Sequence, residues 1–242
     1  FLIGPQCIEF GLSFPPVEEV IDILRQDPAS KVRAGDELAA DDAFCEWVRS
    51  APLETVIDEG HFGLSNFELA AFYGPGQFLH RLQDEVMIPW RTLLASMGFT
   101  WQRCAPYIFI STAGVSSTYH ADFSHVVAWQ LEGEKTFNGF LDPDKYAPIH
   151  QNIVRGSFER TPKPPPYDPD DVLAYHMGPG DLLWNHLLTP HWVDAGKDRP
   201  AMSLNISHGL VRHRGQFSPN EALLHQRWQE HPEEAWLSDL RY

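Results

Sequence analysis

Apolar residues fall at helical spacing through the first hundred residues and in short β-branched and aromatic runs after that. In "PPVEEVIDILRQ", Val17, Val20, Ile21 and Leu24 share one face of a helix. "DDAFCEWVRS" predicts a second short helix. "GQFLHRLQDEVMIPWRTLLASMGF" repeats the spacing through Leu79, Leu82, Val86, Leu93 and Leu94, with a kink expected at Pro89 and a stop at Gly98. Residues 1–104 are therefore expected to form a mostly helical region that packs on the core of the protein.

From residue 105 the texture changes. "PYIFIS", "HVVAWQLEG", "EKTFNGF", "VLAYHMG", "DLLWNHL" and "AMSLNISHGL" are separated by Gly, Pro and Asp. Short runs of this kind predict a small β-sandwich or barrel over 105–210, so the fold class is mainly β with flanking helices. The segment 211–242 closes with a helix in "SPNEALLHQRWQEH": Ser218 is placed as N-cap, Pro219 at the first position and Glu221 at the third, a capping box. Leu223, Leu224 and Trp228 give that helix a docking face. The terminal "HPEEAWLSDL" reads as a solvated turn with one docking patch, and a homodimer through the C-terminal helix is a further expectation. The proline-rich, charged stretch 142–171 is long for a connection inside a domain and reads either as a lid or as a surface insertion.

Composition narrows the partners. A 242-residue chain with 43% hydrophobic residues buries a real core, and its formal net charge of −15 repels phosphate backbones and anionic lipid heads. Nucleic acid and membrane are not expected partners. Cys7, Cys45 and Cys104 form no CxxC pair, and their sparse, odd number suggests a reducing, cytoplasmic setting. The opening "FLIGPQCIEFGL" is apolar but broken by Gly4, Pro5 and Gly11, with no basic flank and too little length to span a bilayer. It lacks an initiator Met, so the chain reads as trimmed.

Candidate chemistry gathers in "STYHADFSHVVAWQLEGEK". Fe(II) in oxygen-activating enzymes is commonly held by two His and one carboxylate on one face. In extended chain, residues two apart point the same way, so His120 and Asp122 could both reach one ion. A second His-x-acid pair, His231-Pro232-Glu233, has no histidine after it and serves as an internal control. A third ligand is available downstream in "GPGDLLWNHLLTPHWVDAG", from His186 or His191, with His176 nearby. Lys135 stands thirteen residues after Asp122. A buried carboxylate at the far end of a chelating 2-oxo acid would need such a cation, with Ser117 and Asn205 as donors beside it. The bland reading of a single lysine is a solvated side chain between Glu132 and Glu134.

Taken jointly, His-x-Asp, then Gln130, Gly133 and Lys135, then Gly-Asp with a His ten residues beyond Asp181, resemble the JmjC-type, cupin-fold Fe(II)/2-oxoglutarate-dependent oxygenases. The style is that of the small hydroxylases related to factor inhibiting HIF, and the match covers about residues 105–210. The resemblance implies a double-stranded β-helix core and the metal ligands His120, Asp122 and His191. It implies Lys135 on the distal carboxylate of 2-oxoglutarate, Ser117 beside it, Asn205 near the cosubstrate, and a Tyr from an upstream strand, Tyr107 or Tyr73. Two departures stand out: His125-Val126 where the family often has Asn, and "WNHLLTPHW" before the last His.

The chemistry so implied consumes O₂ and 2-oxoglutarate, releases succinate and CO₂, and hydroxylates an unactivated C–H of a small molecule or peptide. Asp122 argues against halogenation, which needs that position free for a halide. Two rivals belong to other classes: a metal-dependent cupin enzyme that ignores 2-oxoglutarate, for which Lys135 is dispensable, and a non-catalytic cupin module with no tight metal.

Overall fold

The structure, a computed structural model, describes residues 1–4, 6–37, 39–148, 153 and 160–234. After a short β1 (Leu2–Ile3), the chain enters α1 (Val17–Gln26) behind two prolines. Its first free amide, Val17 N, donates to Glu132 Oε2 at 2.9 Å, and Glu18 and Glu19 favour the positive end of the helix. β2 (Lys31–Ala34) leads to α2 (Asp42–Ser50), capped by Asp41, whose side chain accepts from Phe44 N. Arg25 of α1 donates to the carbonyls of Val48 and Ala51 at the end of α2, which ties the two helices together. α3 (Leu53–Glu59) and β3 (Phe62–Asn66) follow. A π-helical turn over Gln83–Met87 runs straight into α4 (Ile88–Ser96). Pro89 therefore lies inside a continuous helical run, and the widened π turn directly ahead of it accommodates a residue with no amide to donate. Gly98, at φ +86, ends the helix.

β4 (Phe99–Thr100) precedes the main strands: β5 (Arg103–Ser111), β6 (His125–Glu132) and β7 (Lys135–Phe140). After α5 (Pro143–Tyr146) come β8 (Val172–Met177), β9 (Leu182–Asn185), β10 (His191–Ala195) and β11 (Ala201–Gly209). β12 (Arg212–His213) and β13 (Gln216–Phe217) make a small ribbon with β4 before α6 (Pro219–Glu230). The large sheet runs β1-β9-β6-β11-β5-β3-β2, and the second runs β10-β7-β8, antiparallel throughout. The segment 115–120 extends the second sheet along β10: Ser117 N donates to Val193 O at 2.6 Å, and His120 and His191 exchange amide bonds at 3.0 and 2.8 Å. Four strands thus face four, β9-β6-β11-β5 against 115–120-β10-β7-β8, and the chain alternates between the two sheets except from β7 to β8, which are neighbours in the second sheet. This is a double-stranded β-helix of the cupin or jelly-roll kind.

The region before residue 104 supplies more than helices: β1, β2 and β3 extend both edges of the large sheet. Strand parity then divides the large sheet. Ile108, Ile110, Val127, Met202, Leu204 and Ile206 face the helices and share one core with Val17, Leu24 and Trp90. The alternate residues face the second sheet. Of the 142–171 stretch, residues 149–152 and 154–159 lie outside the described residues. The rest is mostly exposed but makes contacts with the barrel: Lys145 and Tyr146 both bond Asp171, Tyr167 lies on Trp192, and Thr161 pairs with Tyr119. The end of the terminal turn, 235–242, is likewise outside the described residues. Among the described residues no helix is long and apolar enough to cross a membrane.

Candidate metal centre

β10 begins at His191, directly opposite His120. That pairing places their rings 4.4 Å apart. Asp122 joins them: Oδ1 lies 3.7 Å from His120 Nε2 and Oδ2 lies 3.7 Å from His191 Nε2. One ligand atom from each of the three falls within 4.8 Å of the others, a group that could hold a metal ion. The outer ring nitrogens are already engaged. His120 Nδ1 is 2.7 Å from Thr118 O and His191 Nδ1 is 2.9 Å from Thr189 O. A carbonyl only accepts, so each Nδ1 carries the proton and each Nε2 lone pair is left for a metal. Burial holds His120 down at about 4, with help from His191 and against the pull of Asp122. His120 is thereby suited to ligation as a neutral ring.

The turn between β9 and β10 fixes this geometry. Leu188, with φ +62, is a buried non-glycine residue in the left-handed region, and its amide donates to Asp122 O at 2.7 Å. Its side chain packs with Leu187 and with Leu224 of α6.

The inner face of the barrel is arranged in rungs. At the metal-ligand end His191 pairs with Gly139, and Val126 pairs with Asn185 on one side and Ser207 on the other. The middle rung carries Val193, Phe137 and Tyr175 on one sheet and Leu183, Ala128, Asn205 and Tyr107 on the other. The far rung carries Ala195, Lys135 and Met177 against Gln130, Ser203 and Phe109. A cavity of about 210 Å³ lies at the metal end, lined by His191, Asn185, Phe137, Tyr175 and Leu183.

Lys135 points into the interior, not into solvent. It is 3% exposed, and Nζ donates to Ser203 Oγ at 2.9 Å and Phe109 O at 3.1 Å. Among the described residues no carboxylate pairs with it, and burial alone drives it down to about 7. Asn205 is buried with Oδ1 unpartnered, and Tyr107 lies beside it on the neighbouring strand.

Other candidates sit elsewhere. Ser117 Oγ accepts from Val193 N at 2.8 Å and donates to Thr118 O at 3.1 Å, so its hydroxyl is engaged with main chain. His186 packs on Phe1 and His125 outside the group of three. His176 meets Thr136 on the outer face of the second sheet. Tyr73 follows a short helical turn on the helical side, its hydroxyl pushed up by burial. The control pair His231 and Glu233 is exposed, 3.3 Å apart. His125, at the position where the resemblance led to Asn, turns away from the pocket and meets Glu221 at 2.7 Å. Two features beside this group have little or no signal in the sequence. Ser203 was detectable as the residue two before Asn205 on the same strand face; the His125–Glu221 pair, 96 residues apart, left no local signal.

Fold and site together define a cupin-type barrel with a His-Asp-His group able to take a metal. No protein-family model matches the chain, and no curated protein matches it. Among solved structures, E. coli ycfD aligns with 93% of this chain and 53% of its own, at 16% identity and a TM-score of 0.47. The DMSP lyase DddQ from Ruegeria pomeroyi aligns with 46% of this chain and 42% of its own, at 19% identity and 0.29. A cupin superfamily protein from Desulfitobacterium hafniense aligns with 46% and 75%, at 16% and 0.29. The chain thus spans about half of ycfD and less than half of the lyase, and what those proteins do is a property of theirs.

Proposed function

We propose that this protein is an Fe(II)- and 2-oxoglutarate-dependent dioxygenase that hydroxylates an unactivated C–H of a small molecule or peptide. The observation that carries this reading is Lys135. A buried ammonium without a carboxylate partner is costly, and an anion that brings its own charge into the barrel removes that cost. His191 and Lys135 are four strand positions apart, about 13 Å of rise before either side chain reaches inward. That span suits a short dicarboxylate chelating a metal at one end and meeting Lys135 at the other.

The donor set fits the metal. Two imidazoles with free Nε2 and one carboxylate on a single face are the ligands preferred by Fe(II) in oxygenases, and they leave the opposite face open. Bound there, Fe(II) with 2-oxoglutarate would activate O₂, the four-electron oxidant shared between decarboxylation of 2-oxoglutarate to succinate and CO₂ and hydroxylation of the C–H. The chain's own residues do the rest. Thr118 and Thr189 carbonyls hold the two rings in one tautomer. Phe137, Tyr175 and Leu183 line the approach and exclude water.

The test is anaerobic. Fe(II), then 2-oxoglutarate, are added to metal-free protein and the weak visible charge-transfer band of the chelate is followed. The band is expected with wild type, absent with His191→Ala, and shifted to much higher 2-oxoglutarate with Lys135→Ala. Metal uptake with no response to 2-oxoglutarate would transfer the protein to the class of metal-dependent cupin enzymes of other chemistry.

A further inference from the structure

We infer that Ser203, and not Ser117, is the hydroxyl that joins Lys135 in holding the far carboxylate of the cosubstrate. The inference rests on the 2-oxoglutarate reading above and assigns one more residue to it. An ammonium has three protons; Lys135 spends two, on Phe109 O and Ser203 Oγ, and the third is left for a ligand. Ser203 Oγ accepts from Lys135, so its own proton is turned away from the lysine. Among the described residues nothing accepts it, although Ser203 is 1% exposed. A carboxylate seated on the free Nζ–H reaches that hydroxyl too, as two charge-assisted bonds from adjacent donors. Asn205, two residues on and on the same face of β11, lies one rung nearer the metal ligands, where only its amide N–H groups could serve an anion.

Ser117 is differently placed. Its single proton goes to Thr118 O, and its oxygen satisfies Val193 N, an amide of the strand that carries His191. Turning Ser117 toward a ligand would strand that amide inside the barrel. The far anchor is thus built across the sandwich, from β7 on one sheet and β11 on the other.

Ser203→Ala, Ser203→Thr and Ser117→Ala are compared as purified full chains in three readouts: metal stoichiometry, 2-oxoglutarate dissociation constant from the anaerobic band, and the same titration with pyruvate, which lacks a distal carboxylate. Expected are unchanged metal loading throughout, a loss of about tenfold or more in 2-oxoglutarate affinity for Ser203→Ala, and recovery with Ser203→Thr. Pyruvate affinity stays level in Ser203→Ala, and Ser117→Ala stays near wild type for both acids. If Ser203→Ala fails to load metal, Ser203→Cys, close in size and a weak donor, carries the comparison. Wild-type affinity in Ser203→Ala with weakening in Ser117→Ala overturns the assignment, as does equal weakening toward both acids. A wild-type protein that takes metal but gives no band with 2-oxoglutarate sinks the functional reading itself, and this assignment with it.

Discussion

Lys135 is where chemistry and stability pull in opposite directions. Burial brings it from its ordinary 10.5 to about 7. Between those values the unfolded chain holds the proton and the empty folded protein does not. The unfolded state therefore binds more protons, and the lysine's destabilising effect is full below pH 7 and fades as pH rises toward 10.5. Ligand binding has the other sign. Above pH 7 a carboxylate meets a mostly neutral amine and must recruit a proton, so 2-oxoglutarate affinity should fall by up to about tenfold per pH unit. Titration at pH 6.5 and 8.5, in buffers of differing ionisation heat, would register both the fall and the proton uptake. Equal affinity with no proton uptake would mean that Lys135 stays charged without a ligand. Lys135→Met separates the two roles: it should stabilise the empty protein by about 1–3 kcal/mol at pH 6.5, seen as a higher Tm, and abolish the pH dependence along with tight binding.

At the scale of elements, α6 bears on the candidate metal ligands through the turns that carry them. Glu221 accepts from Val211 N at 2.8 Å and from His125, whose other nitrogen faces Leu187 N at 3.4 Å. Leu188, next along, holds the Asp122 carbonyl. Glu221→Ala leaves His125 and an amide unpaired in the interior, so it should cost about 3 kcal/mol in chemical denaturation. Because the two turns that carry Asp122 and His191 lose their brace, metal affinity should also drop about 10- to 100-fold, measured by competition with a chelator. Undiminished affinity in a folded variant would confine α6 to a packing role. This helix also shows how far sequence reaches. Ser218 caps it as expected, accepting from Glu221 N. The reciprocal half of the capping box is absent, because Glu221 turns inward to a histidine 96 residues away. Caps, helical faces and the His-x-Asp pair are set by neighbours in the chain and can be read there. Strands β2 and β3 are short and belong to a helical stretch, and only the open edge of β5 makes them strands.

For the molecule as a whole, the large sheet separates what holds the fold from what the site does. Its outer face carries the main core beneath the N-terminal helices; its inner face is narrow and partly polar. β11, "AMSLNISHG", shows the division within one strand: Met202, Leu204 and Ile206 face the helices, while Ser203, Asn205 and Ser207 face the pocket. A period of two thus assigns neighbouring residues to different tasks. Leu204, with no exposure at all, should cost about 2–5 kcal/mol as Leu204→Ala, because a cavity opens where the sheet meets the helices. Once folded, that variant should bind metal and 2-oxoglutarate as wild type does, since its pocket face is untouched. Asn205→Ala, one residue along, should cost little, because the carbonyl it removes is unpaired to begin with, yet should weaken 2-oxoglutarate binding. Denaturation midpoints and anaerobic titrations on the two variants would place them in opposite corners. If both variants lost stability and binding together, the sheet would act as one cooperative unit, and the site could not be altered without disturbing the core that supports it.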